Sequence, residues 1–174
     1  KKSMYPKDLS GKKIAVPGLN TTAYLALKLF LPEFKEVVVP FDQILEKVES
    51  GDVDAGLIIH EGQITYRQEG FRLAVDLGRW WKRETGLPLP LGVNGIRKGL
   101  GATLCKKISR ILHASIAFGL KHRAEGIAHA QQFGRGLDRA KADRFIGMYV
   151  NDFTLDLGAR GRRGIREFLR LGQK

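Results

Sequence analysis

The sequence has 174 residues, 43% of them hydrophobic and 28% charged, which is the composition of an ordinary folded protein and not of a disordered chain. It contains no run close to the roughly 18 apolar residues of a membrane-spanning helix, and its single cysteine, Cys105, excludes an internal disulfide framework and a multi-thiolate metal site. The net charge of +12 is concentrated in residues 97–174, where 17 Lys/Arg stand against 6 Asp/Glu, a balance that suits an acidic partner, an anionic substrate or simply solvated helix faces.

The N-terminal residues do not have the pattern of a secretory signal. Residues 1–7 are basic, but no apolar segment follows them. A lone cysteine also fits a reducing compartment. The sequence therefore predicts a cytoplasmic protein with no membrane partner.

A strand followed by a helix is predicted near the N-terminus. An apolar run ends in the turn Pro17-Gly18, and Thr21 and Thr22 follow as candidate N-caps of a helix. Apolar residues at helical spacing continue from there until Pro32 ends the helix.

A second unit of the same kind leads to the most informative stretch of the chain. Residues 36–40 are predicted as a strand, Asp42 as the N-cap of a short helix and Gly51 as its end. The apolar run at 55–59 is then typical of a strand buried on both faces of a parallel sheet. It stops abruptly at His60.

The predicted topology places the chemically useful residues together. Strands that alternate with helices pair in parallel through right-handed crossovers, so their carboxyl ends lie on one edge of the sheet, where ligands of open α/β sheets bind. Thr21, Thr22 and His60 are therefore expected to converge. Histidine can move a proton near neutral pH, and a helix N-terminus favours a carboxylate. The alternatives are a histidine that caps a strand end and threonines that only cap a helix.

The second half of the chain changes from strands to helices. Residues 73–77 are predicted as a last short strand, and residues 85–92, which contain two prolines, as an extended connection. Apolar periodicity then predicts four helices, at 104–121, 123–132, 138–149 and 160–171. The fold class is predicted as α/β, with an α/β lobe at 1–88 and a crossover with a helical part at 89–174.

Three aromatic residues are further candidates for the site. Tyr66, Trp80 and Trp81 could flank an aromatic substrate. Large aromatic side chains more often belong to the core, so this interpretation has a structural alternative.

Several ordered blocks of the sequence resemble one family. They are residues 14–18 with 21–24, 56–61 with 65–66, 76–78 with Trp81, 85–92, and 149–151 with 154–156. Together they resemble the 1,4-dihydroxy-6-naphthoate synthases, which act in the futalosine pathway of menaquinone biosynthesis. The blocks span nearly the whole chain.

The resemblance implies a fold and a reaction. It implies a periplasmic-binding-protein-like fold of the second type, with an aromatic carboxylate substrate in the cleft between two lobes. It also implies a lyase step that converts cyclic dehypoxanthinyl futalosine to 1,4-dihydroxy-6-naphthoate without a metal or an organic cofactor. His60 matches the catalytic base of the family, and the helix start at Thr21 and Thr22 would hold the carboxylate.

One departure from the family is large. Family members begin with most of another lobe, and nothing in this sequence matches it. The resemblance therefore predicts a truncated first lobe, of which residues 89–174 are the helical remnant. The apolar faces of those helices would lack their sheet, and a homodimer would be one way to cover them.

Two other functions remain open at the level of the sequence. The first is a non-catalytic solute-binding or sensing protein of the same fold. The second and less favoured is RNA binding, because residues 161–164 (Gly-Arg-Arg-Gly) resemble the GxxG loop of a KH domain within a basic tail. The flanking strands and aromatic residues of such a domain are not predicted.

Overall fold

The computed structural model describes residues 5–133 and 137–173. Within them the strands are β1 (Lys13–Val16), β2 (Lys35–Val38) and β3 (Ala55–Gly56). The α-helices are α1 (Thr22–Phe30), α2 (Ile44–Ser50), α3 (Gly62–Thr65), α4 (Leu77–Thr85), α5 (Ala102–Lys121), α6 (Arg123–Gln131), α7 (Arg139–Tyr149), α8 (Asp152–Leu155) and α9 (Gly158–Gly172). Short 3-10 turns lie at Pro6–Leu9 and Lys98–Leu100. The predicted α/β class is confirmed.

The chain divides into two compact units. The α/β unit comprises the described residues of 1–91 and 162–174, and the helical unit comprises those of 92–161. The last part of α9 therefore groups with the sheet, and the division into lobes at 1–88 and 89–174 stays a prediction.

The sheet has the strand order β2-β1-β3, and all three strands are parallel. β1 pairs with β2 along its whole length and with β3 through Ile14 and Ala15. Because the chain goes from β1 to β2 on one side and continues to β3 on the other, the strand order reverses between β1 and β3. Ligand crevices of open α/β sheets occur at the carboxyl ends of strands at such a point.

The two faces of β1 contribute to two separate cores, because side chains alternate along a strand. Ile14 and Val16 pack with Leu27 of α1 on one face, whereas Ala15 packs with Ile44 of α2 on the other. Burying an aliphatic side chain of valine size or larger stabilises a fold by about 1.5–3 kcal/mol. The sheet is thus fixed between α1 and α2.

A third core joins α1, α4 and α9. Ala26, Trp81 and Phe168 are buried together, and the rings of Trp81 and Phe168 meet edge to face with centroids 5.3 Å apart. Gly172 lies against Leu25, where a Cβ would come within 2.9 Å of the leucine side chain. This packing explains why the end of α9 belongs to the α/β unit.

The helical unit buries few side chains. Among its described residues, Ile127 and Ala142 are the two buried hydrophobic residues, and α5 buries none of its 20 residues. α6 and α7 are linked by Arg123, whose Nε donates to Asp143 Oδ1 at 2.6 Å and whose Nη2 donates to the Asp143 carbonyl at 2.9 Å.

The four helices predicted in the C-terminal half are confirmed as α5, α6, α7 and α9, with ends within two residues of those expected. Local signals set these ends. At the start of α7, for example, Asp138 Oδ1 accepts the amide of Lys141 at 2.8 Å, as an N-cap does.

The strand predicted at residues 73–77 is wrong. Asp76 instead caps α4, because its Oδ1 accepts the amide of Arg79 at 3.0 Å. The side-chain hydrogen bond offers the backbone a helix start in place of a strand.

The N-cap predicted at Asp42 is also wrong. α2 has Gln43 at its N-cap position, and the amide of Gln43 donates to the Pro40 carbonyl at 2.9 Å. Asp42 therefore lies within a turn that precedes the helix. The predicted end of α2 at Gly51 is confirmed by its left-handed backbone, with φ of 84°.

The central strand is shorter and less buried than predicted. β3 covers two residues, and the run at 55–59 is only half-buried. A Cβ at Gly56 would lie 2.4 Å from Ile44 Cγ2, which shows how closely α2 covers this strand. The amide of Leu57 still donates to the Ala15 carbonyl at 2.8 Å. Beyond that bond the chain leaves the sheet.

Candidate functional site

The candidate site lies where the chain leaves β1 and β3. Thr21 and Thr22 stand at the start of α1 after β1, and His60 lies three residues beyond the Leu57 bond that ends the pairing of β3 with β1. Because β1 and β3 are parallel neighbours, all three residues lie on the same edge of the sheet. Their roles in binding or catalysis stay predictions.

Thr21 is the N-cap of α1. Its Oγ1 donates to the Gly18 carbonyl at 2.9 Å and accepts the amide of Tyr24 at 3.1 Å. The hydroxyl therefore holds the turn from β1 into α1. The first amide N–H groups of a helix have no partner inside the helix, so they are the groups that could receive an anion here.

Thr22 has an exposed side chain with a different partner. Its Oγ1 donates to the carbonyl of Leu91, which lies 69 residues further along the chain. This bond ties the start of α1 to the segment after the two prolines. The hydroxyl proton of Thr22 is thus used within the α/β unit, and its oxygen can still accept a hydrogen bond.

His60 is largely buried, with 13% of its side chain exposed. Its Nδ1 accepts the amide of Gly62 at 3.0 Å, whereas its Nε2 is buried and has no hydrogen-bond partner among the described residues. Glu61 Oε2 is 3.9 Å from Nδ1, and the ring of Phe41 lies 5.9 Å away between centroids. The histidine therefore has one ring nitrogen engaged with the backbone and one that is not.

Tyr24 is the titratable residue with a shifted pKa nearest to the start of α1. Burial raises the pKa of its phenol, and the carboxylate of Glu36 raises it further by its charge and by accepting a hydrogen bond. Tyr24 is therefore neutral at physiological pH. It supports the helix start through its amide and does not supply a charge.

Trp81 belongs to the core of the α/β unit. It is 1% exposed, and its indole N–H donates to the Pro88 carbonyl at 3.1 Å. Trp80 packs edge to face on Phe30 with centroids 5.3 Å apart. The alternative that the tryptophans belong to the core is thus confirmed, because the period of α4 turns them toward α1 and α9.

Tyr66 remains half-buried at the end of α3, and its hydroxyl accepts a hydrogen bond from Arg67 Nε at 3.1 Å. Nothing in this contact assigns it to the site.

The GxxG segment at residues 161–164 is not a loop. It lies inside α9, and a Cβ at Gly164 would come within 2.8 Å of the Pro88 carbonyl. Its glycines allow close packing, so the RNA-binding alternative loses the motif on which it rests.

Two partners of His60 are missing from the sequence-based site. Phe41 follows β2 and reaches the histidine ring, and the backbone of Gly62 supplies the bond to Nδ1. The sequence could have indicated Gly62, because it is a glycine only two residues after His60. No signal pointed to Phe41, because its approach depends on how the turn before α2 folds.

Residues 5–133 and 137–173 contain neither a candidate metal cluster nor a helix suited to span a membrane. No group of three or more His, Cys, Asp or Glu side chains is placed to hold a metal ion there. No helix in that part of the chain has both the length and the apolar character to cross a membrane.

A family model described as menaquinone biosynthesis matches residues 2–174 of this sequence. The chain belongs to this menaquinone biosynthesis family.

Curated members of the family are similar over most of the chain. A 1,4-dihydroxy-6-naphtoate synthase of Thermus thermophilus is 41% identical over 157 residues, which are 90% of this chain and 58% of the relative. A protein of the same name from Streptomyces coelicolor is 38% identical over 168 residues, or 93% of this chain and 60% of the relative. The chain thus spans about 60% of the length of these relatives.

A solved structure shares the fold of nearly the whole chain. The crystal structure of protein AF1704 from Archaeoglobus fulgidus superposes with a TM-score of 0.91 at 43% sequence identity. The superposition covers 98% of this chain and 64% of that protein.

Proposed function

We propose that this chain is part of a 1,4-dihydroxy-6-naphthoate synthase, which converts cyclic dehypoxanthinyl futalosine to 1,4-dihydroxy-6-naphthoate in menaquinone biosynthesis. The observation that carries the proposal is its similarity to two curated synthases at 38% and 41% identity over at least 90% of the chain. The position of His60 at the reversal point of the sheet supports it from the geometry.

The proposal includes the periplasmic-binding-protein-like fold of the second type. In that fold the α/β unit is one lobe, and the substrate binds in a cleft that this lobe shares with another. The small parallel sheet and its helices are compatible with this assignment. The helical unit would then belong to the other lobe.

Each residue of the site has a proposed role. The amide groups at Thr21 and Thr22 bind the substrate carboxylate, because a helix N-terminus offers unpaired donors and a favourable dipole. His60 takes a proton from the bound substrate and so starts the cleavage that releases the naphthoate. The hydroxyls of both threonines support the helix start through their bonds to backbone carbonyls.

The test measures turnover of cyclic dehypoxanthinyl futalosine by the chain alone and within a polypeptide that has the full length of the curated relatives. In the full-length protein, His60→Asn should preserve the fold and lower kcat by about 10²- to 10⁴-fold, the usual contribution of a general base. His113→Asn is the matched control, because His113 is exposed on α5. A folded His60→Asn variant with turnover within a few-fold of the parent would end the case for His60.

A non-catalytic solute-binding protein is the second candidate. It is favoured by the observation that His60 Nδ1 already accepts a backbone N–H, which leaves no lone pair of the neutral ring free to take a proton. Tight binding of an aromatic carboxylate without any turnover in the full-length protein would support it over the enzyme.

A further inference from the structure

The hydrogen bond from Gly62 determines which nitrogen of His60 has the proton. A neutral imidazole has one N–H donor and one acceptor nitrogen. Since Nδ1 accepts the Gly62 amide at 3.0 Å, the proton of the neutral ring is on Nε2. A ring turned by 180° would present Cδ2 to the amide instead of Nδ1 and would lose the bond.

The surroundings of Nε2, the other ring nitrogen of His60, differ from those of Nδ1. Nε2 is buried, and no polar group of residues 5–133 or 137–173 bonds it. Buried N–H groups in native proteins are nearly always hydrogen-bonded, so an exception needs an explanation, and a ligand acceptor is one. The ring thus presents a donor that the described protein groups do not use.

Glycine at position 62 is required for this arrangement. A Cβ there would lie 2.7 Å from His60 Cε1 and 3.2 Å from Nδ1, while Leu45 Cδ1 blocks it at 3.2 Å. Any larger residue would therefore push the ring away from the amide that holds it.

We propose that Gly62 is a positioning residue that holds neutral His60 in the Nε2–H form, so that the ring first acts as a hydrogen-bond donor to a carboxylate or carbonyl oxygen of the ligand. The identity of that ligand rests on the proposed function. Nδ1 can take up a proton only after the bond to Gly62 opens, because two donors would otherwise face each other. A base step at His60 therefore requires the ring to move.

The test is nitrogen NMR of the chain labelled with ¹⁵N in its four histidines. The coupling pattern between ring protons and nitrogens distinguishes the two neutral tautomers, and His60→Asn identifies the signals of residue 60. We expect the Nε2–H form for neutral His60. An Nδ1–H form, or an equal mixture of the two, would overturn the inference.

Gly62→Ala tests the positioning role. It should abolish the tautomer preference of His60, whereas Gly95→Ala, where an added Cβ meets no atom within 4 Å, should leave it unchanged. Unchanged ring signals in Gly62→Ala would refute the role. Amide exchange at Gly62 in the unsubstituted chain gives a second measurement, independent of whether that variant folds. Protection should be present with a neutral ring and lost with a protonated one, and equal protection in both states would contradict the bond.

Titration with 2-naphthoate tests the donor role. The Nε2–H signal of His60 should shift, and a titration that leaves the ring signals in place would overturn that role. The result is separable from the proposed function. An Nδ1–H ring in a protein that turns over the futalosine substrate would refute this inference alone, whereas an Nε2–H ring in an inactive full-length protein would refute the proposed function alone.

Discussion

The two units of this protein bury their apolar residues very differently. Of the 15 buried hydrophobic residues in the described chain, 13 lie in the α/β unit and two in the helical unit. Among its described residues, the helical unit instead exposes ten large hydrophobic side chains, namely Val93, Leu100, Leu104, Ile111, Leu112, Phe118, Phe133, Met148, Phe153 and Leu157. The α/β unit has its own core, and the helical unit largely does not.

The longest helix shows that this exposure follows a pattern. Leu104, Ile111 and Phe118 recur every seven residues along α5 and are 43%, 59% and 60% exposed. A stripe of this kind is typical of a helix face that packs against another element. About two-fifths of each curated relative lies outside the matched region, which is enough chain to cover such a face. Periodicity thus predicts which face is apolar, but not whether the same chain covers it.

The largest expected effect is the difference in stability between two phenylalanine-to-alanine variants, one in each unit. Phe168→Ala removes a ring that is 1% exposed in the core with Trp81, so it should lower the free energy of unfolding by about 3–5 kcal/mol. Phe118→Ala, at 60% exposure, should change it by less than about 0.5 kcal/mol. Urea unfolding of both variants measures the difference. Equal losses would show that α5 is covered in solution.

Amide hydrogen exchange should show the same difference between the two units without any substitution. Amides of β1 and α1, which lie between buried side chains, should open only with global unfolding, whereas those of α5 should exchange through local opening. The experiment compares protection factors of β1, α1 and α5 in a monomeric sample. Greater protection in α5 than in β1 would contradict the comparison.

The exposed face of α5 should also govern self-association. Ile111→Lys places a charge in the apolar stripe and should reduce any concentration-dependent association seen by sedimentation, with little change in stability. Leu73→Lys is the control, because Leu73 is similarly exposed at 52% but lies in the α/β unit. Equal effects of the two substitutions would show that the stripe has no special role.

The sequence predicted the elements whose signals are local. The helices of the second half, the strands β1 and β2 and the left-handed end of α2 at Gly51 follow from apolar period, caps and glycine. The strand predicted at 73–77 is wrong because Asp76 could either lie in a strand or cap a helix, and Trp81 of α4 decides this only through its contact with Phe168. The short apolar run there cannot distinguish the two.

The edge of the sheet on which Thr21, Thr22 and His60 lie could be predicted from the sequence, but the hydrogen bonds of these residues could not. The edge that holds Thr21, Thr22 and His60 follows from parallel topology. Two of these bonds depend on where the backbone lies, which residue types do not encode. They are the bond from Thr22 to the Leu91 carbonyl and the bond from the Gly62 amide to His60. The same holds for Phe41 beside His60, which depends on the turn before α2.

The smallest expected effect is a loss of stability of the helical unit at acid pH. The amide and then the side chain of Lys141 lower the pKa of Asp138 through hydrogen bonds at the start of α7. The unfolded chain binds a proton at this carboxyl more readily than the folded one does. Its contribution to stability is therefore complete above the unfolded pKa of about 3.9 and is lost as the pH falls through the lower folded value.

Asp138→Asn separates the charge of this cap from its geometry. Asparagine is as good an N-cap, so α7 should still begin at residue 139 in the variant, but the part of the acid sensitivity that arises from Asp138 should disappear. Asp138→Ala should lower the helix content at every pH, because it removes the acceptor for the Lys141 amide. Circular dichroism and unfolding between about pH 3 and 6 compare the three proteins, a range that brackets the usual pKa of aspartate. The effect should be small, since the carboxyl is exposed and screened by solvent. If Asp138→Asn lost stability with acid as steeply as the parent, the pH dependence would have to arise from other carboxylates, and this helix end would be held by geometry alone.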